Sequence, residues 1–440
     1  MTRERLASSV VFTPTDFPHH TYVPRDNLHH ERLLREWART STQIASVSGP
    51  SKAGKTVLVQ RVIGKEHLIT VSGASVRAPD QLWERVLDWC GEPHTTMASR
   101  TDTVADASSK ERTVTLGVSG TGASTRANSN TTHTNADLLS ATSQRRGLPQ
   151  VVDQLANSKY TLLLDDFHYI PLAIQSDVAQ QLKDAASRGV RICVASVPHR
   201  SDNVVRALPE LRGRVVAVDL DYWSVKDLLE IPRMGLEALR FSVDQASLLA
   251  FAKEAAGSPQ LMQSICKWMC ESLGIHESLA EPQAFVLDAA KRRAILEMSS
   301  FAVDFRTLVR ALIAGPRARP GERQTYVHHD GRQGDVYLTI MRAVAMDPPR
   351  LAVHKDELTK RLDELCKGKN PDGASIVRAC VQLGQIAQST YAAHSGPSLE
   401  WDDQDNVLVL PDPYLLFYLR CSGLLEREAD AASEPEITQS

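Results

Sequence analysis

The chain has 440 residues, of which 42% are hydrophobic and 23% charged, so its composition is that of a globular protein with room for two or three domains. A formal net charge of -3 excludes a general attraction to polyanions, and any contact with DNA would need a local basic patch. The amino-terminal sequence lacks the apolar core of a signal peptide, and no stretch reaches the ~18 apolar residues of a membrane span. Together with seven scattered cysteines, these features predict a cytoplasmic protein with reduced thiols and no membrane contact.

Short β-type runs alternate with helical patterns in the first half of the chain, which predicts a parallel sheet covered by helices. One interval, residues 98 to 146, is rich in Ser, Thr, Ala, Asn and Gly and is too long for an ordinary connection. It is either a solvated insertion or a protruding hairpin that orders on assembly, and the alternation of Val114, Leu116 and Val118 allows a strand there. The predicted strands of the sheet cover residues 43 to 48, 67 to 72, 160 to 165, 191 to 196 and 215 to 220.

The segment GPSKAGKT follows the first predicted strand and opens a predicted helix, which is the context of a Walker A motif. Its glycines allow the backbone to turn N–H groups inward around phosphates at a helix N-terminus. Lys55 supplies positive charge to the β- and γ-phosphates, and the Thr56 hydroxyl is a candidate magnesium ligand. The motif therefore predicts ATP and Mg²⁺ as ligands, with nucleotide contacts from Gly49, Pro50, Ser51, Lys52, Ala53, Gly54, Lys55 and Thr56.

Two adjacent carboxylates, Asp165 and Asp166, end the third predicted strand in the sequence LLLDDF. Mg²⁺ prefers oxygen ligands, so Asp165 is the second candidate metal residue. Asp166 stands where a carboxylate can orient or deprotonate the attacking water. Because Asp reaches about 1.5 Å less far than Glu, and a displacement of ~1 Å can cost about a hundredfold in rate, the pair predicts an ATPase with slow hydrolysis.

Three further candidate catalytic residues lie at the ends of later strands. Ser196 ends the fourth predicted strand, where its hydroxyl can sense the γ-phosphate or the water. Arg212 and Arg214 precede the fifth, where an arginine can neutralise transition-state charge on nucleotide held by a neighbouring subunit. The alternative for each arginine is a surface charge or a helix-end cap.

The pattern becomes helical after residue 220. A segment rich in Gly, Pro and Arg, residues 315 to 334, predicts a linker. Three helical segments follow it, and then a hairpin around the turn DDQDN. The acidic, polar residues at the end predict a disordered tail.

These motifs resemble those of P-loop ATPases of the AAA+ and STAND type, over roughly residues 22 to 273. YVPRDNLHHERLLREW is similar to the segment that leads into the P-loop strand, with Arg25 at its characteristic arginine, and LLLDDF is similar to the form common in STAND switch ATPases. EAAGSPQLMQ resembles the Gly-x-Pro of their helical lid, which implies that Gly257 and Pro259 lie against the nucleotide. LRGRV resembles the box that carries the arginine finger of AAA+ proteins, which implies Arg212 or Arg214.

The sequence also departs from these families. GSPQ lacks the arginine that AAA+ lids usually carry after the glycine, and no internal repeat of the kind that ends STAND proteins is found. The C-terminal pattern is similar to a winged helix, which extends the resemblance toward Arg420. Its candidate recognition helix would expose Ser375, Arg378, Gln382 and Gln385.

The resemblance implies an α/β fold: a P-loop parallel sheet of the ASCE/AAA+ type, followed by an all-helical lid and a winged-helix domain. The implied divisions are an N-terminal leading segment (residues 1–40), a P-loop ATPase domain (41–221) with the insertion (98–146), a helical lid (222–314), a linker (315–334), a winged-helix-like domain (335–421) and a disordered tail (422–440).

Two functions are compatible with this organisation. In the first, ATP controls a switch that drives homo-oligomerisation or engagement of a protein sensor or effector on another polypeptide; by analogy, the setting would be bacterial anti-phage defence or signalling. In the second, the chain is a DNA-associated AAA+ ATPase resembling origin-recognition or transposition regulators. Residues 335 to 378 carry eight Lys or Arg against seven Asp or Glu, which favours packing or protein contact over DNA for the winged helix.

Overall fold

The computed structural model describes most residues of the chain. These are residues 5–25, 29–39, 43–92, 95–100, 139–197, 213–316, 323–390 and 398–433. Within these ranges, no helix combines the length and the apolar character needed to cross a bilayer.

A five-stranded parallel sheet forms the centre of the first half of the chain. In this half the described strands are β1 (Ile44–Ser48), β2 (Leu68–Ser72), β3 (Thr95–Arg100), β4 (Leu139–Gln144), β5 (Thr161–Asp165), β6 (Arg191–Ser196) and β7 (Val215–Asp219). The sheet has the order β2-β5-β6-β1-β7, and all five residues of the interior strand β1 are buried. The five strands predicted for this sheet are confirmed, because each observed strand lies within its predicted run.

Helices cover both faces of the sheet. They are α2 (His30–Arg39), α3 (Lys55–Ile63), α4 (Pro79–Trp89), α5 (Leu148–Leu155) and α6 (Leu172–Ser187); the short α1 (Ser8–Val11) precedes them and is not part of either face. On one face α4, α5 and α6 bury an apolar cluster around Trp83, and on the other α2 and α3 bury a second cluster around Trp37. The apolar stripes of these helices thus give the sheet two separate cores. The protein has an α/β P-loop fold with a helical C-terminal region.

The two ends of the predicted insertion pair with each other. β3 and β4 form an antiparallel ladder that runs from Thr95 opposite Gln144 to Arg100 opposite Leu139. The chain between them, including the predicted strand around Val114, Leu116 and Val118, lies outside the described residues.

The helical region that follows the sheet, called the lid here, begins at a reciprocal cap in which Ser224 and Asp227 bond each other's backbone N–H. It contains α7 (Val225–Leu239), β8 (Phe241–Val243), α8 (Gln245–Glu254), α9 (Pro259–Leu273), β9 (Gln283–Phe285), α10 (Ala289–Ser300) and α11 (Arg306–Ala314). The N-terminal α1 packs on the lid: a Cβ at Gly235 would lie 2.3 Å from the ring of Phe12, so only glycine permits this approach.

The last part of the chain, called the C-terminal module here, has the order helix, strand, helix, helix, strand, strand. Its elements are α12 (Val336–Val344), β12 (Ala352–His354), α13 (Lys355–Leu365), α14 (Gly373–Thr390), β13 (Glu400–Asp402) and β14 (Val407–Val409), followed by α15 (Pro413–Cys421) and α16 (Leu424–Ser433). The three strands form an antiparallel sheet in the order β12-β14-β13, so the expected hairpin is present.

The lid and the C-terminal module share one hydrophobic core. A single cluster runs from Leu228 in α7 through Ile295 in α10 to Leu425 in α16, and it is separate from both cores of the parallel sheet. Arg420 of α15 also pairs with Glu254 of α8 at 2.7 Å, where both side chains are largely buried. The lid and the module therefore form one packed body, which we call the lid–module body.

Two predictions on the C-terminal half are wrong in part. The linker at 315–334 contains a small antiparallel ladder, β10 (Tyr326–Val327) with β11 (Gln333–Gly334), because Tyr326 finds a buried site; residues 317–322 are not described. The tail predicted to be disordered over 422–440 forms α16, because Leu424, Leu425 and Ala429 share a buried face and Arg332 holds Asp430 at 2.6 Å. Its last seven residues lie outside the described ranges.

Candidate functional site

The Walker A segment forms a loop between β1 and α3. The Gly49 N–H donates to the Ser196 carbonyl at 3.2 Å, and a Cβ at Gly49 would lie 2.7 Å from that of Leu220. Lys52 and Gly54 have positive φ, 63° and 95°. A Cβ at Gly54 would meet no described atom within 4 Å, so this part of the loop backbone faces open space beside the N-terminus of α3. This geometry fits an anionic ligand, because helix N-termini carry unpaired N–H groups.

Lys55 lies in the first turn of α3 and is only 7% exposed. Its Nζ donates to the carbonyls of Gly49 and Pro50, both at 3.0 Å. Burial lowers the pKa of Lys55, while the carboxylates of Asp166 and Asp165 act in the opposite direction. The ammonium group is thus held inside the loop that would surround a phosphate, and the carboxylates of Asp165 and Asp166 lie near enough to interact with its charge.

Thr56 and Asp165 meet across the site, because β5 ends beside the start of α3. The Thr56 hydroxyl donates to the Asp165 carboxylate at 2.6 Å. Burial raises the pKa of Asp165, and the charge of Asp166 raises it further, whereas the hydrogen bond from Thr56 and the charge of Lys55 lower it. A hydroxyl and a carboxylate at this separation are hard oxygen ligands and fit a magnesium ion, which would supply positive charge next to the phosphates.

Asp166 directly follows β5 in a left-handed conformation with φ of 55°. Its N–H donates to a carboxylate oxygen of Asp165 at 3.0 Å. The turn after β2 supports this backbone, because a Cβ at Gly73 would lie 2.4 Å from the Asp166 carbonyl oxygen. The backbone of Asp166 is therefore held beside the Asp165 carboxylate.

The other candidate residues lie at opposite edges of the sheet. Ser196 is buried beside Gly49 at the carboxyl edge, where the loop is. Arg214 is exposed and precedes β7 at the amino edge, so the length of the strand, about 16 Å, separates it from the loop of its own chain. Arg212 lies outside the described residues.

The lid contacts the loop through Ser258 and Trp223, and Pro259 lines the cavity beside them. Ser258 caps α9, Pro259 occupies its first turn, and the Ser258 hydroxyl lies 3.5 Å from the Lys52 carbonyl. Gly257 has φ of 80° and accepts from the N–H of Trp223. The indole N–H of Trp223 in turn donates to the Ala53 carbonyl at 3.0 Å. Arg25 packs its guanidinium over the same indole ring, 5.2 Å from its centre.

A cavity of about 1970 Å³ joins these groups. The Walker A loop, Asp165, Asp166 and Pro259 line one side. The C-terminal module lines the other, through the end of α14, the β13–β14 hairpin and the N-terminus of α15. This second wall was not predicted. Nor was Trp223, although an aromatic residue that directly precedes the capping Ser224 could have indicated it from the sequence.

The prediction of which residues the candidate recognition helix exposes is partly wrong. Arg378 and Gln385 of α14 are exposed, but Gln382 is half-buried and accepts a hydrogen bond from the hydroxyl of Tyr337. Ser375 bonds Asp372 at 2.9 Å as part of the cap that begins the helix. Gln388, in the last turn of α14, lines the cavity.

Comparisons with known proteins return structural similarity at low identity. No family model matches the sequence, and no curated protein matches it. The ORC2 protein of Aeropyrum pernix is 13% identical over 97% of this chain and 99% of that chain, with a TM-score of 0.46. A Walker-type ATPase of Pyrococcus abyssi is 11% identical over 92% and 99%, with a TM-score of 0.45, and Cdc6p from Pyrobaculum aerophilum is 12% identical over 97% and 100%, with a TM-score of 0.42. Because these scores are low, the fold assignment depends on the strand order and on the loop between β1 and α3.

Proposed function

We propose that this protein binds ATP with Mg²⁺, hydrolyses it slowly, and uses the nucleotide to set the angle between the parallel sheet and the lid–module body. The observation that carries the proposal is the cavity, which has the Walker A loop on one side and the C-terminal module on the other. Because the two bodies have separate cores, they can change their relative position without exposing either core.

Each residue of the site has a role in this proposal. Lys55 neutralises phosphate charge, exchanging its two carbonyl contacts for phosphate oxygens. Thr56 and Asp165 hold the metal ion, and Ser196 stands beside the loop at the place of a phosphate or water sensor. Asp166 orients the attacking water, and the shorter reach of its side chain relative to Glu accounts for slow turnover.

In this proposal the C-terminal module is a winged helix, and the chain resembles STAND switch ATPases. When nucleotide rotates the lid–module body away from the sheet, the surfaces that line the cavity become available to another copy of the chain or to a sensor or effector on another polypeptide. A role in bacterial anti-phage defence or signalling depends on the resemblance alone.

Mass photometry of the purified chain, with ADP and with a non-hydrolysable ATP analogue, tests the switch. We expect larger assemblies with the analogue and none with ADP. A Lys55→Ala variant should stay in the ADP-like distribution under both conditions. An unchanged monomer with either nucleotide would count against control of assembly.

The second candidate, a DNA-associated ATPase, shares the ATP site and differs in what the module contacts. The order of helices and strands in the module favours it, as do the exposed Arg378 and Gln385 on its third helix. This candidate predicts DNA-stimulated hydrolysis and an affinity that falls steeply with salt. Anisotropy with labelled duplex DNA at ~50 mM and ~200 mM salt measures this directly, and Arg378→Ala should reduce the slope. An absence of binding at the lower salt would rule it out.

The arginine-finger candidates are tested by mixing subunits. Arg212 and Arg214 serve hydrolysis only if they reach nucleotide on a neighbouring copy, as the distance of Arg214 from its own loop requires. Arg212→Ala and Arg214→Ala are each mixed with Lys55→Ala, and ATP turnover is measured. Partial recovery of turnover for one mixture identifies the finger, whereas no recovery for either would mean that sites are not shared in this way.

A further inference from the structure

The two walls of the cavity differ in charge. Among the described residues, every Lys and Arg that lines the cavity comes from the first 77 residues of the chain, and they are Arg25, Arg32, Arg35, Lys52, Lys55 and Arg77. The C-terminal module contributes four carboxylates, Glu400, Asp402, Asp403 and Asp412, and none of its described lining residues is cationic. The module therefore presents a negative surface to the place where a polyphosphate would lie.

Lys52 of the Walker A loop borders the cavity together with residues of the lid and of the module. The lid reaches this residue through Ser258, whose hydroxyl is 3.5 Å from the Lys52 carbonyl. Asp412 of the module lines the same cavity as Lys52. Burial raises the pKa of Asp412, whereas the N–H of Tyr414 and the positive charge of Lys52 lower it. The loop and the lid are thus in contact at Lys52, and Asp412 lies on the module side of the same cavity.

Asp412 is built into the module and not a mobile surface group. Its side chain caps the N-terminus of α15, accepting from the N–H of Tyr414 at 3.0 Å. Pro413 follows it, and Tyr414 is itself buried. The position of this carboxylate therefore follows the position of the whole lid–module body.

We propose that Asp412 makes the arrangement in which the lid–module body closes over the Walker A loop, here called the packed state, selective for phosphate charge. The packed state tolerates a diphosphate near Asp412 and disfavours a triphosphate. This inference depends on the proposed function, because it assigns the element that distinguishes the two nucleotides of that site. A ligand shifts a conformational equilibrium only by its difference in affinity for the two states. The third phosphate of ATP adds negative charge, which the carboxylate of Asp412 repels in the packed state alone. This repulsion supplies the difference in affinity.

The substitution Asp412→Asn isolates the charge, because Asn is as good a helix cap as Asp and keeps an oxygen for the Tyr414 N–H. Asp405→Asn is the matched control: Asp405 lies in the turn of the same module, is exposed, and does not line the cavity. Calorimetric titration of the full chain gives Kd for ADP and for adenylyl imidodiphosphate, a non-hydrolysable ATP analogue. The quantity compared is the ratio of the Kd of the analogue to the Kd of ADP.

We expect Asp412→Asn to lower this ratio about fivefold, the size of effect expected for one partly screened unit charge. Asp405→Asn should leave it within about twofold. An unchanged ratio in Asp412→Asn overturns the inference, and so does an equal fall in both variants, because the effect would then come from net charge. If Asp412→Asn does not fold, Asp412→Ser is used, since Ser also caps helices without a charge.

Hydrogen exchange of the wild-type chain gives a second readout. Residues 398–412 should exchange faster with the analogue than with ADP, and Asp412→Asn should reduce that difference. Equal exchange with both nucleotides in the wild type overturns the inference. Failure of the proposed function has a different signature, in which neither nucleotide binds or Lys55→Ala leaves binding unchanged.

Discussion

The two walls of the nucleotide cavity are built in different ways. On the sheet side, Lys55 is buried and bonds two loop carbonyls, Asp165 is half-buried and accepts from Thr56, and the backbone of Asp166 lies against the turn at Gly73. On the module side, Trp401 and Asp402 are half-exposed and Asp403 is exposed on a short hairpin. The first wall fixes positions for chemistry, whereas the second covers the site and is joined to the loop through the bonds that Trp223 and Ser258 of the lid make with it.

Removal of the positive charge of Lys55, on the sheet side of the cavity, should have the largest effect on ATP affinity. Lys55→Ala leaves the half-buried carboxylates of Asp165 and Asp166 without their cation and removes the positive charge for the phosphates, so we expect ATP affinity to fall about 100-fold or more. Titration of a fluorescent ATP analogue measures it. Lys159→Ala, at the opposite edge of the sheet, is the control and should bind normally. Normal binding in Lys55→Ala would mean that the first wall does not hold the phosphates.

On the sheet side, a change at Asp166 should separate ATP binding from ATP turnover. Asp166→Asn keeps the size of the side chain but removes its ability to accept a proton, so we expect turnover to fall about 100-fold with Kd unchanged. Steady-state ATPase rates and equilibrium binding give the two values. Asp153→Asn, an exposed carboxylate in α5, should change neither. If Asp166→Asn loses as much binding as Lys55→Ala, the role assigned to Asp166 is wrong.

The contact that crosses from the lid to the loop should give the smallest effect. Trp223→Phe keeps a ring beneath Arg25 but removes the indole N–H that donates to Ala53. The loss of one such bond is worth about 1 kcal/mol, which is roughly fivefold in ATP affinity. The matched change Trp89→Phe, at an exposed ring in α4, should have no effect on affinity. Equal affinities in wild type and Trp223→Phe would show that the lid does not support the loop through this bond.

The sheet and its edge were predictable because they depend on local patterns. Parallel strands end at a common edge, so a loop after β1 and a carboxylate after β5 must lie near each other, and Thr56 and Asp165 are in contact. The covering wall was not predictable, because it depends on how apolar faces from distant segments pack into one core. The same reason explains α16: a short acidic sequence forms a helix only because Leu424 and Leu425 have a site in that core.

The positions of two tryptophans have a practical consequence. Trp223 bonds the loop from the lid, and Trp401 lies on the hairpin of the module, so both indoles border the same cavity. Trp37 and Trp83, in contrast, are enclosed in the two cores of the sheet and should report little change. Separation of the walls would transfer the first pair to water and move their emission to longer wavelength. The chain thus carries its own optical signal for opening, with no need for an attached dye.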